Sequence, residues 1–289
     1  MLNYFLYRIG QFIALHLPVR LAYKLAVFFS DLQYAFAFAD RRAVYGNLRA
    51  IFPQLPDKEI LAIRRKMYRN FAKYLVDFFR FEKIDGRYIS QNIRLENTGY
   101  FDEALAKGKG AIVLTAHLGN WELGGAVIAL CGYPFWVVAL PHTHKKVNDF
   151  FNNQRESKGI KVIPSGKAAV RSCLGLLAVN KMVALVGDRD FAERGAVLDF
   201  FGRPAFFPEG PAAFALKTGA SIVPGFLIRN TDDTFTLRIE KPIEVEPYSG
   251  RNRDIVGVIS RYKNIIEDYI RKYPDQWYMF KQFWMDQKI

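Results

Sequence analysis

Apolar and polar positions follow three different rhythms along the chain. From Leu2 to Ala39 the residues are mostly apolar, with Arg8, Arg20, Lys24 and Asp31 scattered through them and Pro18 interrupting the run. The longest uncharged stretch, Ile9 to Val19, is too short for a bilayer core of about 30 Å. A charge held at mid-bilayer costs about 2.5–3.5 kcal/mol. This rhythm predicts one or two membrane-embedded or interfacial helices over residues 1–40 that stay attached to the chain, not a conventional spanning helix. No small-residue cleavage site bounds the run as a signal peptide would require. The competing reading is a pair of ordinary core helices. From Asp57 to Phe81, Ile60, Ile63, Met67, Phe71, Tyr74, Leu75 and Phe78 recur at three- and four-residue spacing, which predicts a helix with one apolar face and Asp57 as its N-cap. Arg64, Arg65, Lys66, Arg69, Lys73 and Arg80 lie beside that face.

The third rhythm starts at Gly108. The short continuous apolar run at 111–116 reads as a strand buried on both faces, 135–140 and 159–164 read as further strands, and 182–187 reads again as a buried strand. Between them, 121–130 and 168–179 read as helices. Pro211 to Thr218 has proline at the first helical position and Gly219 after the last. Ser221 to Arg229 and Thr234 to Val245 read as a strand pair about the turn cluster at 230–233. A last helix carries Ile255, Val258, Ile259, Tyr262, Ile265, Ile266, Tyr269 and Ile270 on one face. Strands alternating with helices predict an α/β fold, with a mainly parallel central sheet flanked by helices. No repeat, low-complexity tract or Pro/Gly linker divides the chain, so residues 41–289 read as one domain behind the 1–40 segment.

Composition narrows the function. The 289 residues are 51% apolar and 15% aromatic, which excludes a wholly disordered chain. Cys131 and Cys173 supply neither a disulfide framework nor a four-cysteine zinc site. The formal charge of +13 points to a polyanion: nucleic acid, an anionic membrane or a phosphorylated substrate.

Candidate chemistry gathers after two strands. In open α/β sheets ligands sit at the carboxyl ends of the strands. His117 directly follows the 111–116 run, and Glu122 opens the next helix. Gly119 lets the connection bend, so the two side chains can turn toward each other. A carboxylate on one imidazole nitrogen fixes the tautomer and leaves the other as a base. The second cluster, Asp188, Arg189 and Asp190, closes the 182–187 run; it reads as a substrate contact or as a structural ion-pair network. Arg194 and Arg203 punctuate a glycine-containing loop that leads through Phe206-Phe-Pro-Glu-Gly-Pro211 into a helix N-terminus, an arrangement suited to an anion. No Gly-x-Ser-x-Gly elbow occurs, and neither cysteine adjoins His117. His142 and His144 lack a supporting ligand set and read as loop residues, and residues 159–167 do not match a phosphate loop.

The segments AHLGNWE, GDRDFAERGAVLDFFGRPAFFPEGPAAFALKTGA and RRAVYGNLRAIFP together resemble the bacterial lipid A biosynthesis (late) acyltransferases. That group lies within the lysophospholipid acyltransferase superfamily and includes the phosphatidylinositol mannoside acyltransferases. The resemblance implies a glycerolipid-acyltransferase-like fold. It places the family's acid/base pair on His117 and Glu122, its basic helix residue on Arg155, and its acidic-basic cluster on Asp188, Arg189 and Asp190. Phe207 to Gly210 is similar to the acceptor-phosphate motif of glycerophosphate acyltransferases, with Pro211 where that motif has threonine.

The implied reaction is direct acyl transfer. His117 takes the proton of an acceptor hydroxyl or amine while Glu122 orients it, and the acceptor attacks an acyl thioester. The expected donor is acyl-ACP or acyl-CoA, with no resident cofactor or metal. Expected partners are an anionic membrane, a lipid or glycolipid acceptor such as a lipid A precursor, and acyl carrier protein or coenzyme A; nucleic acid is not expected. The expected location is the bacterial inner membrane, with the site near its cytoplasmic face. Two alternatives stand beside this reading: a non-catalytic basic protein binding membrane or nucleic acid, and a lipid hydrolase using the same pair.

Overall fold

A computed structural model describes residues 2–190, 192–247 and 254–285. Four helices come first: α1 (Leu2–His16), α2 (Val19–Phe36), α3 (Phe38–Ile51) and α4 (Asp57–Phe79). Pro18, as foreseen, separates α1 from α2 and stands at the N-cap of α2. The N-cap of α4 is Pro56, not Asp57. Asp57 lies inside the helix, and its carboxylate is drawn away from the helix amides by Tyr45 Oη at 2.7 Å and by Arg49.

The α/β body follows: α5 (Gly86–Asn92), β1 (Ile93–Glu96), α6 (Gly99–Leu105), β2 (Ala111–Thr115), α7 (Trp121–Leu130), β3 (Phe135–Ala139), α8 (Lys145–Glu156), β4 (Lys161–Pro164), α9 (Lys167–Ala178) and β5 (Met182–Val186). Then come β6 (Ala196–Phe200), β7 (Arg203–Phe207), α10 (Gly210–Thr218), β8 (Ser221–Arg229), β9 (Phe235–Ile239) and α11 (Ile255–Lys272). Among the described residues seven strands form the main sheet, in the order β1-β9-β8-β2-β5-β3-β4. Every neighbouring pair is parallel except β8 and β9, whose hairpin turns at the 230–233 cluster. The strand foreseen over Thr234 to Val245 ends at Ile239, and Ile243 returns only as a bridge to Ile222.

Continuous apolar strands are explained by burial on both faces. On β2, Ile112 and Leu114 enter the core beneath α9, α10 and α11, while Ala111 and Val113 enter the opposite core beneath α7 and α8. The loop expected around Arg194 and Arg203 contains a separate hairpin, in which β6 and β7 pair antiparallel. Its Phe200 and Phe207 are fully buried, so apolar alternation outweighs the glycine signal.

The N-terminal helices are fastened to the body by polar bonds. Ser30 Oγ donates to the Tyr68 carbonyl at 3.0 Å, and Asp31 accepts from Arg69 at 2.6 and 2.9 Å. Yet Phe5, Ile9, Phe12, Phe28, Leu32 and Phe36 are each more than half exposed. Among the described residues no helix is long and apolar enough to cross a membrane.

Candidate active site

The site grows from two adjacent strands. β2 and β5 run parallel with Thr115 opposite Val186. Two residues beyond each strand, the same register sets His117 beside Asp188. Gly119 bends the chain at φ +65°; a Cβ there would lie 2.1 Å from the Leu227 carbonyl oxygen, so only glycine fits. The C-terminal segment then clamps the bend. Gly119 donates to the Gln276 carbonyl at 2.9 Å, Tyr278 donates to the His117 carbonyl at 2.8 Å, and Leu118 bridges Trp277.

Asp188 is fully buried and accepts three hydrogen bonds. Its Oδ1 faces His117 Nδ1 at 2.9 Å; its Oδ2 takes the His117 amide at 3.1 Å and Trp277 Nε1 at 2.9 Å. Burial opposes ionisation, but the three donors, the imidazole foremost, outweigh it and hold the carboxyl below its ordinary range. An ionised carboxylate only accepts, so Nδ1 carries the proton and Nε2 is left as the basic nitrogen. The His117 side chain keeps 20% of its surface and packs edge-on against Trp121, ring centres 5.3 Å apart.

Glu122 was expected to be the carboxylate that orients His117. The structure gives that place to Asp188. Glu122 instead accepts two bonds from Arg155 of α8, at 2.5 and 2.9 Å, and both side chains are about nine-tenths buried. The physical reason is the helix: as the second residue of α7, Glu122 projects toward α8, while register carries His117 toward β5. Burial works against the Arg155 charge, and Glu122 more than offsets it, raising the guanidinium's affinity for its proton. This pair fixes α7 to α8 directly behind the histidine loop.

The remaining candidates separate. Asp190 closes its own turn, accepting from the amides of Ala192, Arg194 and Gly195 at 3.0, 2.7 and 2.7 Å. Phe191, inside the same motif, lies outside the described residues. Arg194 is exposed, and Arg203 opens β7 opposite Phe200. Arg189, Asp190, Phe206, Met279 and Lys281 line a cavity of about 400 Å³ that begins immediately after Asp188.

Three contributors were not singled out from the sequence. Trp277 supplies the third donor to Asp188. Asn120 caps α7 through Leu123 N at 3.1 Å and donates to Asp77 at 2.8 Å. Asp77, buried on α4, also takes Tyr23 Oη and Arg229. The available signals were an aspartate inside the apolar face of α4 and an arginine ending an otherwise apolar strand. Burial raises the Asp77 pKa despite Arg229.

The geometry is that of an imidazole held on a buried carboxylate beyond the ends of two parallel strands. The family model described as "Bacterial lipid A biosynthesis acyltransferase" matches residues 1–286 of this chain. The chain belongs to that family. A phosphatidylinositol mannoside acyltransferase of Mycolicibacterium smegmatis is 26% identical over 262 residues, covering 90% of this chain and 84% of the relative. One from Mycobacterium tuberculosis is 31% identical over 160 residues, 54% of this chain and 51% of the relative. A lipid A biosynthesis acyltransferase of Haemophilus influenzae is 21% identical, covering 82% of this chain and 73% of the relative. The chain is thus a lipid acyltransferase of the lipid A biosynthesis family, and His117, Asp188, Glu122 and Arg155 all fall within the matched span.

Proposed function

We propose that this acyltransferase carries a fatty acyl group from an acyl thioester to a hydroxyl, or an amine, of a lipid or glycolipid at an anionic membrane, with His117 as general base. His117 Nε2 removes the acceptor proton as the acceptor oxygen attacks the thioester carbonyl. The tetrahedral intermediate collapses with cleavage of the carbon–sulfur bond, and the imidazolium returns its proton to the departing thiolate. Asp188 holds the tautomer and balances the transient positive charge. Glu122 acts at one remove, by fixing Arg155 and α7.

The observation that carries this reading is the bond from His117 Nδ1 to the buried Asp188. Aligned general bases contribute about 10²–10⁴-fold in rate. Arg189 and Lys281 in the adjoining cavity provide positive charge for an anionic part of either substrate. The outward apolar residues of α1 and α2 and the +13 charge support attachment to an anionic leaflet, which for a lipid A-type substrate is the cytoplasmic face of the inner membrane. The names of the relatives favour a lipid A precursor or a mannolipid as acceptor.

The test supplies purified enzyme with acyl carrier protein or coenzyme A thioesters and membrane lipid extract. Mass spectrometry should find an acceptor heavier by one fatty acyl group. His117→Ala should abolish that product while leaving the fold intact. An undiminished rate in that variant removes the proposed base; free fatty acid formed without an acylated lipid identifies a hydrolase.

A further inference from the structure

A second cavity, mostly apolar, lies away from His117, between α1, α2 and α4. Its volume is about 460 Å³, within the range of small-molecule sites. It exists because small residues, Ala14, Ala26 and Ala72 among them, face one another where three helices meet. Phe29, more than half exposed, belongs to its wall, so the cavity opens toward the outward apolar side of α2.

One end of the cavity is polar. Ser30, Gln33, Asp40 and Tyr68 line it, and Asp40 faces Lys281 at 3.7 Å. Tyr68 is 7% exposed, and its hydroxyl has no hydrogen-bond partner; it is the one such buried side-chain atom among the described residues. Burial, then the nearby Asp40 carboxylate, pushes this phenol up to about 12, so it keeps its proton and needs an acceptor. An unmatched buried donor in a native fold calls for an explanation.

Beyond Tyr68 stands a basic cluster. The Tyr68 ring meets Tyr34 edge-on at 5.0 Å. Arg41 stacks over Tyr34 at 5.0 Å, and Arg64 Nε donates to Tyr34 Oη at 2.8 Å. Arg41, Arg42 and Arg64 together line an open hollow. None of the three forms an ion pair with a carboxylate of the described residues. An apolar chamber, a hydroxyl donor and an arginine cluster therefore follow in that order.

We infer that this cavity holds one acyl chain of an anionic glycerophospholipid drawn from the membrane, its ester carbonyl accepting from Tyr68 Oη and its phosphate meeting Arg41, Arg42 and Arg64. The occupant is not the reacting chain of the donor. That chain's carbonyl must lie at His117, and Phe71, Tyr74, Tyr278 and Trp121 stand in a chain of ring contacts between the two places. The inference rests on the membrane attachment proposed above; the proposed acyl-transfer chemistry enters only in setting the donor chain aside. A bound lipid of this kind would hold α1 and α2 on the body from within the leaflet.

The test uses the full chain with phosphatidylcholine vesicles containing phosphatidylglycerol that bears a photoreactive diazirine at the end of one chain. Adducts are mapped by peptide mass spectrometry, and pelleting with the vesicles is scored in the same samples. Labels are expected on Leu25, Leu75 and Val76 of the inner wall, undiminished in His117→Ala. Ala72→Phe, which fills the chamber, should remove them while vesicle pelleting persists. Tyr68→Phe should fold as well as the wild type and lose inner-wall labelling several-fold. Arg41→Gln with Arg64→Gln should cut labelling by roughly tenfold or more, since each basic group near an anionic lipid contributes about a factor of five. Labels confined to Phe5, Phe12, Phe28 and Phe36, or equal labelling by a phosphatidylcholine probe, overturn the inference. Absence of all labelling overturns it too, and the pelleting score tells whether membrane attachment falls with it.

Discussion

Replacing Asp188 by asparagine tests the core of the catalytic reading without removing a single atom's worth of volume. The carboxylate has two unlike oxygens: Oδ2 accepts two N–H groups, from His117 and Trp277, and Oδ1 accepts one, from the imidazole. An asparagine placed with its NH₂ toward Oδ2 would confront two donors and forfeit two bonds of about 1 kcal/mol each, besides leaving those donors buried and unmatched. The amide is therefore held the other way, with its oxygen at the Oδ2 position and its NH₂ pointing at His117 Nδ1. Nδ1 must then accept, and the ring proton moves to Nε2, the nitrogen meant to act as base. The fold is retained, but the tautomer is wrong. In the serine-protease triad the same change of aspartate to asparagine costs about 10⁴ in turnover, or about 5.4 kcal/mol of barrier. The assay is single-turnover acyl transfer at saturating thioester, with thermal unfolding as control and ¹⁵N imidazole shifts to read the tautomer. A folded Asp188→Asn enzyme within tenfold of wild-type turnover would refute the assignment of Asp188 as the positioning carboxylate.

Breaking the second buried pair should behave differently: Glu122→Gln leaves the Arg155 guanidinium buried without its counter-charge and should cost about 3–5 kcal/mol in urea unfolding, while Glu122→Leu combined with Arg155→Met recovers most of it. The fraction of Glu122→Gln that remains folded should keep the wild-type pH profile of transfer; a displaced profile would return Glu122 to the imidazole. Gly119→Ala should lower stability by more than about 1 kcal/mol and impair transfer, since its Cβ would overlap the Leu227 carbonyl and its φ is positive. The Asp188 carboxyl is held below its unfolded pKa, so its contribution to stability is complete above pH about 4 and is lost as pH falls through the lower folded value. Urea midpoints of wild type and Asp188→Asn should therefore converge in that acid range, and a gap that persists below it would contradict the linkage.

Periodicity made the elements legible, but not their pairing. The run at 121–130 became α7 and that at 221–229 became β8 with the expected bounds, because local pattern and burial agree there. The β6–β7 hairpin was hidden by Gly202 in its turn and by Pro204 within β7, and β1 by its shortness and its edge position. His117 was visible because a histidine ending a buried strand is conspicuous. Its partner was not: a carboxylate five residues away stood in view, whereas Asp188 lies 71 residues distant and is brought in only by the β2–β5 register. Trp277 is farther still, 89 residues beyond Asp188. Spacing within one segment reports local geometry, and a partner set by strand order requires the topology.

That topology also explains why charge is buried around the histidine loop. Asp77 on α4 binds Tyr23 of α2, Arg229 at the end of β8 and Asn120 at the start of α7. Arg229 in turn shares its backbone N–H and carbonyl with the side chain of Gln276, one residue before Trp277. Each link is satisfied only when α2, α4, β8, α7 and the C-terminal segment take one relative placement, whereas apolar side chains at the same positions would tolerate small slips. Such a cluster is weak as a source of net stability, because desolvation offsets most of the attraction. Its consequence is positional. The outward apolar helix α2 and the imidazole are joined through a short series of polar bonds, so the side proposed to meet lipid and the nitrogen proposed as base are set by the same buried carboxylate.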